Sequence, residues 1–285
     1  LGMLRAGRDV PARGALASGV QEHNLGLLGA EGRGALEPNV FHAPEFALAA
    51  PSVFGGGVGA LLVRPRHEPQ RLVGFMPLRV SRQRYGLFPP VLVGWTHPYA
   101  PFGVPLIDHD EAEAAVAAAF DFIARSPDLP RLLLWPLMPP NGRWAAVLTA
   151  VLNRSGGRIA PFGLHRRAIL APSFDRRGYL DRALRARKRK ELRRQARRLS
   201  DRGALVVSHA ASPQAVASAL EAFMALEAKG WKGRAGGAAA MDADVDAFMR
   251  SAVGNLAARD GARIVQLMLD DRPIASGIVL RSGGH

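Results

Sequence analysis

Cysteine is absent from the 285-residue chain, which excludes disulfides, thiolate metal sites and a cysteine nucleophile and suits a reducing compartment. No run of about 18 consecutive apolar residues occurs, so no membrane span is expected. The N-terminus does not read as a secretion signal, and a soluble, cytoplasmic protein is expected. No Gly-x-Gly-x-x-Gly follows a strand and no Gly-x-Ser-x-Gly elbow occurs, which removes dehydrogenase and serine-hydrolase chemistry. The histidines do not group as metal ligands: His109 lies between Asp108 and Asp110, and three adjacent residues do not converge on one ion. No metal is expected.

Lysine is also scarce, with only Lys188, Lys190, Lys229 and Lys232 among 38 basic residues. An arginine bias alongside abundant alanine and glycine is what GC-rich coding produces, so arginine number alone does not identify a phosphate binder. The net charge of +14 is concentrated: residues 176–202 hold 13 basic side chains against Asp181, Glu191 and Asp201, a local +10 that leaves +4 elsewhere. The 48% hydrophobic content and the length allow one large or two ordinary domains with real cores.

Residues 1–33 lack periodicity and are expected to be poorly structured. Residues 38–50 read as a helix ended by Pro51 and the run Gly55-Gly56-Gly57. β-type runs at 59–64, 71–80 and 91–95 suggest an antiparallel meander. After a Pro- and Gly-rich loop at 96–108 come a helix at 111–125, a short run at 131–135, a helix at 141–153 and β-type sequence at 158–170. A long basic helix at 177–202 follows, with Leu180, Leu184, Leu192, Ala196 and Leu199 as a sparse apolar stripe. Then come a strand at 204–209, a helix at 212–229 with Ser212 as N-cap and Pro213 at N1, a helix at 242–259 and strands at 263–269 and 273–281. This order predicts an α/β fold with mixed sheets.

At a constant offset of 202 residues, Phe46, Ala50, Gly59, Ala60, Val63, Leu78 and Arg79 coincide with Phe248, Ala252, Gly261, Ala262, Val265, Leu280 and Arg281. Both stretches read helix, strand, turn, strand, which suggests an internal repeat; two unrelated strand pairs in an Ala/Gly-rich chain remain the alternative. On the repeat reading, 34–172 is a first domain and 173–285 a basic linking helix plus the first part of a second, whose latter half is missing.

The densest unusual string is Leu226-Glu227-Ala228-Lys229-Gly230-Trp231-Lys232-Gly233-Arg234-Ala235-Gly236-Gly237. Gly230 is expected to stop a helix in the left-handed conformation. Trp231 between glycines reads either as a helix cap packed on the core or as part of a site. The pattern Leu-Glu-x-x-Gly-Trp-Lys-Gly-x-x-Gly resembles the signature of the cellulose-biosynthesis (CelD-type) acetyltransferases, a branch of the GNAT superfamily built from two GNAT-like domains. Glu37 to Phe41, Leu72 to Leu78, Trp95 to Tyr99, Pro105-Leu106, Arg167-Ala168, Lys190 to Arg194 and Ile274-Ala275 carry the resemblance further, over about residues 36 to 281.

The resemblance implies tandem GNAT-like domains that move an acetyl or other acyl group from acyl-CoA to an amine or hydroxyl, in a cellulose or exopolysaccharide setting, with a small-molecule or saccharide-type acceptor. Glu227 is the candidate base or acceptor-orienting carboxylate, with a helix-surface acid as its plain alternative. Trp231, Lys232 and Gly233 are candidate acceptor-binding residues, and His97 and Tyr99 are candidate pocket residues from the first domain, or else loop packing. In that family the cofactor-binding half follows the third strand of the second domain, so no residue here is assigned to CoA. The loop at 96–108 lacks a Gly-rich phosphate signature.

The basic helix supports a different class, a module binding nucleic acid or an anionic membrane surface, because clustered cations release counterions from any polyanion. It lacks aromatics for base stacking between Arg182 and Arg202, and nucleic acid is not expected as a partner.

Overall fold

The computed structural model describes residues 34–82, 89–168 and 178–283. The expectations for 1–33 and 169–172 lie outside them.

The first half is a sheet with cores on both faces. Strands β1 (Val58–Val63), β2 (Gly74–Ser81) and β3 (Val91–Gly94) form the expected antiparallel meander, with Gly59 facing Leu78 and Leu78 facing Gly94. Strand β4 (Leu106–Ile107) joins the start of β2, and β5 (Leu132–Leu134) pairs with β3 in parallel, so the sheet is mixed. Alternation along β2 sends Phe75 into one core and Met76 and Leu78 into the other, all three buried. Helix α3 (Ala112–Arg125) covers the second core with Ala112, Ala115, Val116, Ala119 and Ile123, a helical spacing whose small residues let it lie close to the sheet. Helix α4 (Arg143–Ser155) adds Trp144, Leu148 and Val151. Its start is capped from a distance: the Glu37 carboxylate accepts the Trp144 N–H at 2.8 Å, and a Cβ on Gly142 would stand 2.4 Å from that carboxylate.

Four local expectations are corrected. The helix at 38–50 is broken into a 3-10 turn at Val40–His42 and two short helices, α1 (Pro44–Ala47) and α2 (Pro51–Phe54). Each proline sits at the first helical position, where its missing N–H costs nothing, so Pro51 starts a helix rather than ending one. The loop at 96–108 contains β4. Residues 158–168 form no strand: their β-type side chains have no neighbouring strand, and Ile159, Phe162 and Leu164 are exposed. The basic helix is two helices, α5 (Tyr179–Ala183) and α6 (Ala186–Ser200), separated by extended backbone at Leu184 and Arg185. Arg189 spans the break by donating to the carbonyls of Asp181 and Leu184.

The second half holds β6 (Leu205–Ala210), α7 (Pro213–Lys229), α8 (Trp231–Arg234), a 3-10 turn at Ala239–Met241, α9 (Ala243–Ala257), β7 (Ala262–Leu269) and β8 (Arg272–Leu280). Its three strands are antiparallel in the order β6-β7-β8. Ser212 caps α7 as expected, accepting the Ala215 N–H at 3.3 Å. In the β7–β8 hairpin Ala262 faces Leu280, one residue away from the pair that the 202-residue offset assigns by analogy with Gly59 and Leu78.

The halves share one core. Phe46, Ala47, Ala50, Val58, Phe75 and Trp95 pack in the same cluster as Val216, Leu220, Phe248, Ala252 and Ile264. At its centre Phe46 and Phe248, 202 residues apart in sequence, meet edge to face with ring centroids 5.3 Å apart. Arg259 pairs with Glu45 at 2.8 Å between α9 and α1. Because Phe248 also meets Phe54, Tyr99 and His97, Phe248→Ala is expected to cost about 3–5 kcal/mol. Denaturant unfolding measures this, and a loss below about 1 kcal/mol would contradict a seam that depends on this ring.

Candidate functional site

Helix α7 ends at Lys229, and Gly230 is extended (φ −78°, ψ −168°) rather than left-handed, so the chain turns and restarts as α8 instead of leaving as a loop. The turn is tight. A Cβ on Gly233 would lie 1.7 Å from the Ala228 carbonyl oxygen, so only glycine lets α8 fold back on the end of α7. Gly233 is buried and shapes the backbone of the site rather than presenting a group to it.

The fold-back brings Lys232 onto Glu227. The ammonium lies 2.6 Å from one carboxylate oxygen, and the other oxygen accepts the Ala239 N–H at 2.9 Å. Glu227 is nearly buried, its side chain 11% exposed against 46% for Lys232. The carboxylate is therefore not freely solvated on the helix surface. Trp231 is 70% exposed, so the alternative of a cap packed on the core does not hold. Met241 is exposed as well.

The first half reaches the same place. Tyr99 lies against Phe54 and Phe248, at 5.8 Å from each ring centre. Burial raises the pKa of its phenol first; the negative charges of Glu227 and Asp242 raise it further while Lys232 opposes them. Tyr99 thus sits within the field of the Glu227–Lys232 pair although 128 residues separate Tyr99 from Glu227 in sequence. His97 stacks on Phe54 at 4.2 Å and 10° and is tilted against Trp95. Of the six candidates, Glu227 and Lys232 are in direct contact, Tyr99 lies within reach of their charges, His97 packs in the aromatic seam beside Phe54 and Phe248, Gly233 holds the turn and Trp231 stands at the surface.

Sequence reasoning missed Asp242, Phe54 and Phe248. Asp242 was visible as the start of a helix, and its carboxylate does accept the Asp244 and Val245 N–H groups. The phenylalanines carry no chemical signal, and only the offset of 202 residues marked Phe248. His42 was also missed. It is fully buried, with Nε2 3.4 Å from the Trp95 carbonyl and Nδ1 unpartnered, and neither ring nitrogen of His97 has a partner.

A pyrophosphate cradle on the first half would lie at the start of α3. The residues there do not fit one: the Asp108 carboxylate already accepts the Asp110 and Glu111 N–H groups, and it is held by Arg71 at 2.8 Å. Asp110, Glu111 and Glu113 add negative charge where a phosphate would approach. Among the described residues no three His, Asp or Glu side chains gather as a metal site.

Burial lowers the pKa of both His42 and His97 from 6.5 to about 4, and His42 depresses His97 further. Above pH 6.5 both are neutral, folded or unfolded. Between pH 6.5 and about 4 the unfolded chain takes up protons that the folded chain resists, so stability falls as pH falls through this window. In His97→Phe the slope of unfolding free energy against pH is expected to shrink by up to about 1.4 kcal/mol per pH unit; an unchanged slope would contradict a buried neutral imidazole. Gly233→Ala is expected to lower stability by about 1–3 kcal/mol in thermal or denaturant unfolding, and a neutral result would contradict the tight fold-back of α8.

No curated protein matches the chain. Residues 186–285 match the acetyltransferase (GNAT) domain family. That stretch, which contains Glu227, Trp231, Lys232 and Gly233, is similar to a domain type that transfers acyl groups.

Proposed function

We propose that the protein is an acyltransferase that moves an acetyl or other acyl group from acyl-CoA to an amine or hydroxyl acceptor held between Tyr99 and the Glu227–Lys232 pair. The observation that carries this reading is the Glu227 carboxylate, nearly buried and held by Lys232 and the Ala239 N–H, inside the stretch that is similar to acetyltransferase (GNAT) domains, with Tyr99 from the half outside that stretch near enough to feel both charges. The offset-related contact of Phe46 with Phe248 supports the companion reading that the halves are tandem copies of one fold, 34–172 and 173–285.

The chemistry of the acceptor side follows from the geometry. An amine or hydroxyl must lose a proton as it attacks, and a fixed carboxylate within hydrogen-bond reach can take it. Glu227 is fixed by the Ala239 N–H through one oxygen; the other faces the half-exposed Lys232 ammonium, which an incoming acceptor can displace. Tyr99 limits the acceptor's approach from the first half, and the exposed Trp231 offers an aromatic face to a sugar or small molecule. Acyl-CoA would supply the activated thioester, and no step on it is assigned to a residue. A saccharide-type acceptor and a role in cellulose or exopolysaccharide synthesis are the setting that the resemblance suggests.

Calorimetry with acetyl-CoA is expected to show binding, and Glu227→Gln is expected to lower transfer, read as release of free CoA thiol, by about tenfold or more with acetyl-CoA binding unchanged. Wild-type turnover in Glu227→Gln would remove Glu227 from the mechanism. Failure of the wild-type protein to bind acetyl-CoA would refute acyl transfer.

A further inference from the structure

Acyl transfer at Tyr99 and Glu227 makes no use of the α5–α6 arm. Helix α6 extends for about 22 Å, and no residue of it is buried. Its substantial contacts are with α5 and β6. Two of its cations are engaged, Arg189 with Asp181 at 3.0 Å and Arg194 with Glu191 at 2.8 Å. Arg187, Lys188, Lys190, Arg193 and Arg197 have no ion-pair partner among the described residues, Arg198 feels Glu191 only at a distance, and all six stand exposed along the helix.

Aliphatic side chains accompany this charge. Leu180 on α5 is 57% exposed, Leu192 on α6 is 41% exposed, and Val206 and Val207 on the adjoining strand β6 are exposed to a similar degree. The bonds from Arg189 to the Asp181 and Leu184 carbonyls hold α5 against the first turns of α6. A polynucleotide would engage the cations through its phosphates but has no use for exposed leucine and valine, and α6 offers no aromatic side chain for base stacking. A bilayer of anionic lipids takes both: headgroups attract the cations, and the boundary of the acyl region accepts short aliphatic chains.

We infer that the α5–α6 arm docks the protein on an anionic lipid bilayer surface. The docking is peripheral, since no helix among the described residues is long and apolar enough to cross a membrane. It does not depend on the acyltransferase reading, because it involves neither Tyr99 nor Glu227.

Co-sedimentation tests it with vesicles of phosphatidylcholine alone and of phosphatidylcholine mixed with phosphatidylglycerol, alongside a duplex DNA, at physiological salt. Binding to the mixed vesicles and not to phosphatidylcholine alone is expected. The triple variant Arg193→Glu, Arg197→Glu, Arg198→Glu is expected to weaken it by about tenfold or more, and Leu180→Ser is expected to weaken it as well. All four positions are exposed, so the variants are expected to melt like the wild type; should the triple variant not, Lys190→Gln with Arg193→Gln makes the same comparison. Absence of vesicle binding overturns the inference, as does full affinity in the charge variants. Full vesicle affinity in Leu180→Ser, or duplex DNA binding as tight as vesicle binding, shows a surface for polyanions in general and also overturns it.

Discussion

The edge-to-face contact of Phe46 with Phe248 is the constraint on which the candidate site depends. Phe46 comes from the four-residue α1 and Phe248 from the 15-residue α9, each ahead of an antiparallel strand pair in its own half, and each ring is buried to within a few per cent. Phe248 then touches Phe54, His97 and Tyr99, so the position of the loop at 97–99 relative to α9 is fixed by ring packing. The polar link across the same seam, Arg259 to Glu45, has its arginine more than half exposed, and such pairs contribute about 0–1 kcal/mol. Apolar burial of a phenylalanine is worth about 1.5–3 kcal/mol, so the aromatic contact, rather than the ion pair, decides how the loop at 97–99 sits on α9.

The seam is not optimised for stability alone. Three buried ring nitrogens on His42 and His97 lack partners, and a buried unsatisfied polar group costs about 1–3 kcal/mol. Phenylalanine at either position would remove that cost. Glu227 is held differently, with both oxygens engaged and its helix turned back on itself through Gly233. A carboxylate with a rigid backbone partner and a displaceable cation is oriented before any ligand arrives. Local departures from the most stable choice gather where the two halves meet, which is where functional sites are expected to conflict with stability.

Much of the architecture was legible because it rests on local signals. The β-type runs at 59–64 and 71–80 gave β1 and β2, the alanine-dense stretch at 111–125 gave α3, and Ser212-Pro213 gave the start of α7. What failed depended on partners. The strand expected at 158–170 has suitable side chains, yet 158–168 finds no neighbour to pair with, while Leu106 and Ile107 form a strand only because the start of β2 lies beside them. Proline at 44 and 51 has two opposite readings, stop or first residue, and the sequence does not choose between them. The string around Trp231 was visible as unusual, and Glu227 and Lys232 could be named from it. Tyr99 could be named too, as a pocket residue or as loop packing, but its packing on Phe248 could not, since Phe248 is an ordinary apolar residue in the sequence.

Charge follows a similar logic. A helix in which most residues are arginine or lysine cannot enter a core, because each cation would lose its water without gaining a partner. Helix α6 therefore has to lie outside both cores, tied down through α5 and β6. The break at Leu184 and Arg185 makes this possible: a single straight helix would carry α5 away from the first turns of α6, whereas the turn, held by Arg189, keeps it against them. The greater part of the net charge of +14 is thus mounted on an arm that leaves the Phe46–Phe248 seam undisturbed. The fold keeps the groups suited to attracting a large anionic surface apart from those suited to binding a small acceptor, so either set can be altered without touching the other.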